Sequence, residues 1–307
     1  MRYDKMDLNL LVALDALLEE CSVSRAADRV FLTQSAMSNA LGRLRRHFQD
    51  DLVVQVGRRM VRTQKGDAMR GEVRAILLRI SQVARPVAAF DAATASRTFR
   101  IAASDYFSTV VLPGVLQHLE KVAPHIRLDV RPISPKLNED IERGEIDLMI
   151  VPHVYLVKGY PSRMLFEDDW VCVAWERNER IGRQLTLAKF LDLQHVVRHQ
   201  SHPDFPPIDV RDAARQGIKR KVSAELPQYG LLPLAVVGTQ RVATVQRRLA
   251  SLSARWLPLK IHECPFPCTP LRETMHWHSL YEADTGHQWL REVVAEQCGR
   301  PGADELA

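Results

Sequence analysis

No stretch of the 307 residues approaches the ~20 uninterrupted apolar residues that span a bilayer. The opening apolar segment, Leu8 to Leu18, is broken by Asn9 and Asp15. It runs into Glu19 and Glu20, where a secretory leader would carry small residues for cleavage. A cytoplasmic protein is therefore expected, with no membrane partner. Cysteines are few and odd in number (Cys21, Cys172, Cys264, Cys268, Cys298), which suits a reducing compartment better than a disulfide scaffold. Nucleophile elbow, phosphate loop and dinucleotide fingerprint are all missing, and the eleven histidines are scattered, so no enzyme is expected. His262, Cys264 and Cys268, with His276 and His278 beyond, come nearest to a metal site. No paired Cys-x-x-Cys exists there, and Pro265 and Pro267 interrupt the segment. Buried thiols and surface histidines are the expectation, with neither metal nor cofactor.

What is present is unevenly distributed. A chain of this length implies two or more folding units. Residues 1–90 carry 15 Lys and Arg against 10 Asp and Glu, and the remainder carries 27 of each. All of the +5 net charge thus sits in the first third, as expected when one domain faces a polyanion.

Three helical patterns occupy that basic third. In the first, Leu10, Leu14, Leu17 and Leu18 form one apolar stripe and Asp7 is placed to cap it. The second is short, capped by Ser22 or Ser24, and buries Ala26, Ala27 and Val30, small enough for a neighbouring helix to cross closely. The third is capped by Thr33, with Leu32 and Met37 spaced for a hydrophobic staple. Its inner stripe is Met37, Leu41 (or Ala40), Leu44 and Phe48. Its outer face begins with Gln34, Ser35, Ser38 and Asn39 and continues with Arg43, Arg45 and Arg46. Short amides and hydroxyls suit base edges in a major groove, and the arginines suit phosphates. A strand-like run, Leu52 to Val56, a basic turn at Gly57-Arg58-Arg59 and a returning Met60-Val61-Arg62 complete a wing.

These residues carry a family resemblance. Ser24-Arg25-Ala26-Ala27, Leu32-Thr33-Gln34-Ser35-Ala36-Met37-Ser38-Asn39-Ala40-Leu41 and Arg62-Thr63-Gln64-Lys65-Gly66 resemble the N-terminal signature of LysR-type transcriptional regulators. Asp7-Leu8-Asn9-Leu10-Leu11-Val12-Ala13-Leu14-Asp15 and Phe48-Gln49-Asp50-Asp51-Leu52 are similar to the subgroup of nodulation and aromatic-catabolism regulators. The resemblance implies a winged helix-turn-helix over 1–62 that binds double-stranded promoter DNA, with Ser24, Arg25 and Thr33 joining the outer face of the third helix. One departure is Gln55, where the family usually places an arginine; Arg58 and Arg59 are the candidates to replace its phosphate contact.

From Thr63 one long helix is predicted to about Val87. Met69, Val73, Ile76, Ile80, Val83 and Val87 recur at heptad spacing, which points to a seam with a partner helix, and a hinge follows near 91–96. The family resemblance implies a homodimer or homotetramer that acts on RNA polymerase.

Beyond residue 93 strand and helix patterns alternate, starting at Phe99-Arg100-Ile101-Ala102-Ala103, and a second set starts near Trp170. Two α/β lobes with parallel sheets are expected, with a ligand crevice beyond the carboxyl ends of the strands. The arrangement resembles the family's effector-binding domain, itself similar to type 2 periplasmic binding proteins. Lobe I would span about 93–167 and 269–300, and lobe II about 168–268. Ser104 and Asp105 end the first strand, and Ser134 follows the second. By resemblance to the aromatic-responsive subgroup, Ser104 and Arg248 fall where a small-molecule inducer is contacted, and an arginine there suits an aromatic acid or phenol. A transport-class solute receptor would share these lobes, but the basic head and the lack of a leader argue against it.

Overall fold

The computed structural model describes residues 2–3, 6–57, 59–84, 90–142, 144–155, 159–200 and 206–299. Arg58 and Val87 lie outside the described residues, as does the side chain of Val83. The chain folds as two compact units, one built from residues 1–89 with 138–146, the other from 90–137 with 147–307.

The first unit opens with a minimal hairpin, β1 (Arg2–Tyr3) against β2 (Met6–Asp7). Helix α1 (Asn9–Glu20) follows; the Asp7 carboxylate accepts the Asn9 N–H at 3.1 Å, one residue ahead of the formal cap position, Leu8. Ser22, not Ser24, caps α2 (Val23–Arg29) by accepting the Arg25 N–H. Thr33 caps α3 (Gln34–Phe48) by accepting the Ala36 N–H at 3.2 Å. Leu10, Leu14, Leu17 and Leu18 of α1, Ala26 and Ala27 of α2, and Met37, Ala40, Leu41 and Leu44 of α3 meet in one core. The alanines allow the close helix crossing that a helix-turn-helix requires. The expected staple between Leu32 and Met37 is not made. Phe31 takes a positive φ of 56°, and the turned chain leaves Leu32 exposed while Met37 is fully buried.

Strands β3 (Val53–Val56) and β4 (Arg59–Arg62) pair antiparallel as the wing, with Val53 opposite Arg62. Helix α4 (Gln64–Ala84) packs back on the same core. Its start depends on Gly66: a Cβ there would stand 2.3 Å from the Leu52 carbonyl oxygen, which already accepts the Thr63 N–H. The heptad seam divides into packed and exposed residues. Met69, Val73 and Leu77, spaced by four, pack into the head's own core, while Ile76 and Ile80 are each 42% exposed. Met69 and Val73 are therefore corrected from partner contacts to internal ones, because both pack in the core formed with α1, α2 and α3.

The second unit contains two five-stranded sheets. In chain order the first lobe contributes β5 (Arg97–Ala103), α5 (Asp105–Val110), α6 (Leu112–Val122), β6 (Ile126–Arg131), β7 (Leu148–Pro152) and β8 (Ser162–Asp168), while α7 (Leu137–Glu142), between β6 and β7, groups almost wholly with the first unit. The chain crosses at Asp169 into the second lobe: β9 (Trp170–Trp175), α8 (Leu187–Asp192), β10 (Gln194–Arg198), α9 (Ile208–Arg215), β11 (Lys221–Leu226), α10 (Leu232–Val236), β12 (Val242–Gln246), α11 (Arg247–Ala254) and β13 (Leu259–Glu263). It returns for β14 (Leu271–Trp277) and α12 (Thr285–Gly299). Strand orders are β6-β5-β7-β14-β8 and β11-β10-β12-β9-β13. In each sheet four strands run one way and one runs the other, rather than all being parallel: the reversed strand, β14 in the first sheet and β9 in the second, is the one that enters straight after a chain crossing. The central strands β7 and β9 are buried on both faces, which explains their unbroken apolar runs.

Candidate nucleic-acid interface and ligand cavity

Helix α3 presents Gln34, Ser35, Ser38, Asn39 and Arg46 to solvent. Phe31, on the turn just before it, is 95% exposed, an apolar group of the kind that meets a thymine methyl. Not every predicted contact is equally available. The Thr33 hydroxyl is occupied by its capping bond and by Ser35 at 3.0 Å. Arg25 reaches back to the Glu20 carbonyl and carboxylate, beside an exposed Ser24. Arg43 pairs with Asp7 at 3.2 Å. The Asp7 carboxyl sits below its usual pKa, first through the Asn9 N–H and then through Arg43.

Arg45 is corrected from phosphate contact to brace. Its Nε donates to the Asp51 carbonyl at 2.9 Å and a terminal nitrogen donates to the Val53 carbonyl at 2.7 Å. It lies on the edge of α3 that faces the wing, so its guanidinium is spent on the backbone there. Gln55 turns its amide onto the Gly57 carbonyl at 3.2 Å, tightening the wing tip, and Arg59 is exposed beside it.

In the second unit, a cavity of about 150 Å³ opens where the carboxyl ends of the two sheets' parallel strands meet. Ser104, Asp105 and Ser134 line it, but none is idle. Ser104 Oγ accepts the Phe107 N–H and caps α5, and Ser134 Oγ accepts the Lys136 N–H. Asp105 accepts the Gly230 N–H at 3.1 Å, a bond between lobes, and burial raises its pKa. Arg248 is corrected: it does not line the cavity. Its guanidinium stacks over Phe166 at 4.2 Å and donates to the Cys298 carbonyl at 2.9 Å, because α11 turns it away behind the wall.

The cation in the cavity is Arg198, with its guanidinium 5.4 Å from the centre of the Tyr229 ring. Trp170, Tyr106, Tyr155 and Tyr229 supply aromatic walls. Three residues lining the cavity each carry a buried polar atom without a hydrogen-bond partner: Arg198 Nε, Gln246 Oε1 and Glu273 Oε2. Burial pushes Glu273 up to about 8, so it is a neutral acid at pH 7 and can donate. Tyr106 donates to Asp168, whose pKa burial also raises. Arg198 and Gln246 end β10 and β12, so the strand-end rule that singled out Ser104 also reaches them. Glu273, mid-strand in an apolar run, gave only the weak signal of a carboxylate among buried neighbours.

A head built to enter a DNA groove, joined to a two-lobed module with a polar-studded aromatic cavity, defines a ligand-sensing DNA-binding regulator. Residues 8–67 match the bacterial regulatory helix-turn-helix protein, lysR family, and residues 92–299 match the LysR substrate binding domain. The chain belongs to the LysR family of transcriptional regulators. It is 33% identical over 303 residues to nodulation protein D 1 of Bradyrhizobium elkanii, covering 99% of this chain and 96% of that protein. Among solved structures, a probable transcriptional regulator from Pseudomonas aeruginosa superposes with a TM-score of 0.73 at 29% identity, covering 96% and 97% of the two chains. CbnR, solved in complex with its target DNA, shares the fold with a TM-score of 0.59 at 14% identity over 94% of this chain and all of that one. Among the described residues no helix is long and apolar enough to cross a membrane, and no group of three or more His, Cys, Asp or Glu is arranged to hold a metal ion.

Proposed function

We propose that this regulator binds promoter DNA sequence-specifically as a dimer or tetramer, in the cytoplasm, and is switched by a single-ring aromatic acid or phenol held between its lobes. The observation that carries the ligand class is three residues with an unpartnered buried polar atom lining one aromatic cavity: Arg198 for a carboxylate or phenolate, protonated Glu273 as a donor and Gln246 as an acceptor. Unpaired buried polar groups are costly and are normally satisfied. A cavity of about 150 Å³ is of the order that accepts one benzene ring.

Outward-facing Gln34, Ser35, Ser38 and Asn39 read bases, while Arg43, Arg46, Arg58 and Arg59 hold phosphates. Ile76 and Ile80 supply the seam between protomers. A ligand that favours one arrangement of the lobes shifts the population of head spacings on DNA, and thereby contact with RNA polymerase.

Calorimetry with benzoate and hydroxybenzoates tests the ligand reading. Binding that falls about 100-fold in Arg198→Ala and stays unchanged in Arg248→Ala is expected. Equal loss in both variants, or no binding by any monocyclic acid or phenol, would reject it. Footprinting on sites recovered by mapping genomic occupancy tests the DNA reading, and equal affinity for those sites and for random duplex would reject that.

A further inference from the structure

Cys264 and Cys268 stand on the second of the two chain crossings between the lobes, between the end of β13 at Glu263 and the start of β14 at Leu271. Their sulfurs are 3.5 Å apart, and both residues are partly exposed. A disulfide requires about 2.05 Å, so the approach needed is roughly 1.5 Å. Two features hold the segment ready. Pro265 and Pro267 fix φ on either side of Phe266, and Phe266 is buried edge-on against Phe190 with ring centres 5.4 Å apart.

We propose that Cys264 and Cys268 form a reversible disulfide by exchange with a small-molecule disulfide of the glutathione type, and that the bond alters the cavity wall at Trp170. This inference is independent of the ligand class argued above. Cys264 is the attacking sulfur. Hydrogen bonds from the Cys172 and Cys268 thiols, with Arg220 nearby, hold its pKa low, whereas the same bonding, and then burial, raise Cys172 and Cys268.

In the first step the Cys264 thiolate attacks one sulfur of the small disulfide; a mixed disulfide forms, the original S–S bond breaks and one thiolate leaves. Cys268 then gives up its proton and attacks the Cys264 sulfur. The new S–S bond forms, the mixed one breaks and the second thiolate leaves. Two protein thiols lose two electrons, and the small disulfide becomes two thiols. Only three residues separate the cysteines, and two of them are proline, so the bond constrains the unfolded chain little and stays easily reduced.

The link to the cavity is direct. Thr269, next to Cys268, accepts the Trp170 indole N–H at 3.1 Å and donates its own N–H to Asp212 at 2.6 Å. Gln216 holds the Pro267 carbonyl at 2.7 Å. Trp170 is a cavity wall, and Asp212 belongs to α9, whose first residue, Ile208, is another. Drawing the two sulfurs together pulls on this hydrogen-bonded run.

The test takes the full-length protein through stepped ratios of oxidised to reduced glutathione, followed by alkylation, digestion and mass spectrometry, with tryptophan emission read in parallel. The expected result is loss of two of the five free thiols, an internally cross-linked peptide holding Cys264 and Cys268, and an emission shift absent from Trp170→Phe. Cys268→Ser is expected to stop at one glutathione adduct on Cys264. Five alkylatable thiols at the most oxidising ratio, or a bond that uses Cys172, would overturn the disulfide. Cross-linking with unchanged Trp170 emission would overturn the coupling to the cavity.

Discussion

The guanidinium of Arg45 reaches from the recognition helix to the carbonyl of Val53, 2.7 Å away on the first strand of the wing. Helix α3 and the wing are thereby locked into one body, and an arginine on the outer face in the sequence pattern becomes part of the frame. Arg45 and Arg46, adjacent in the chain, should therefore fail differently. Arg45→Ala is expected to lower stability by about 2 kcal/mol and to leave the salt dependence of binding to a mixed-sequence duplex unchanged. Arg46→Ala should hold stability within about 0.5 kcal/mol and reduce the slope of log K against log salt by about 0.9. Thermal melts and titrations at several salt concentrations separate the two.

Gly66 is demanded by space. Its missing Cβ would press on the Leu52 carbonyl, which is fixed by the Thr63 N–H at 2.9 Å, so neither side can retreat cheaply. Gly66→Ala is expected to cost about 3 kcal/mol or more, read as a lowered denaturation midpoint, although alanine is the better helix former.

Glu273 makes stability fall as the solution becomes alkaline. Its folded pKa, about 8, lies above the ordinary 4.5, so between those values the folded state holds the proton that the unfolded state has lost. Stability from this group is complete below about 4.5 and declines until about 8. Glu273→Gln, which mimics the neutral acid, should match the wild type near pH 4.5 and exceed it by a few kcal/mol, on the order of 1.4 per pKa unit, above pH 8. A melting difference that stays flat with pH would contradict this. His195, His276 and His287 act in the opposite sense: burial lowers each to about 4, so between about 6.5 and 4 acid favours the unfolded chain.

Ile76 and Ile80 of α4 are exposed. Replacing both with Asp should shift the protein toward monomer in sedimentation while leaving the melt nearly unchanged. The same change at Val73, which is core, should unfold the head instead.

The helical periods of the head were plain in the sequence, as were the outer face of α3, the wing and the two-lobed alternation, because each rests on contacts close along the chain. Arg198 and Arg248 show where that stops. Both are basic residues near strand ends, and only the packing of α11 against Phe166 and Cys298 decides that Arg248 faces away. Ser104, Trp170, Arg198 and Glu273 meet through strand crossings that leave no periodic trace. Met69 and Ile76 share a heptad, and only the extent of the core beneath α4 decides that Met69 is packed and Ile76 exposed.

The place of β14 has a consequence for synthesis. It lies between β7 and β8, and β8 has no other neighbour in its sheet. Until residues 271–277 emerge from the ribosome the first lobe is a split sheet, with the whole second lobe already made. Residues 9–84, the helices and wing of the head, therefore leave the ribosome about 190 residues before β14 can join the two parts of that sheet.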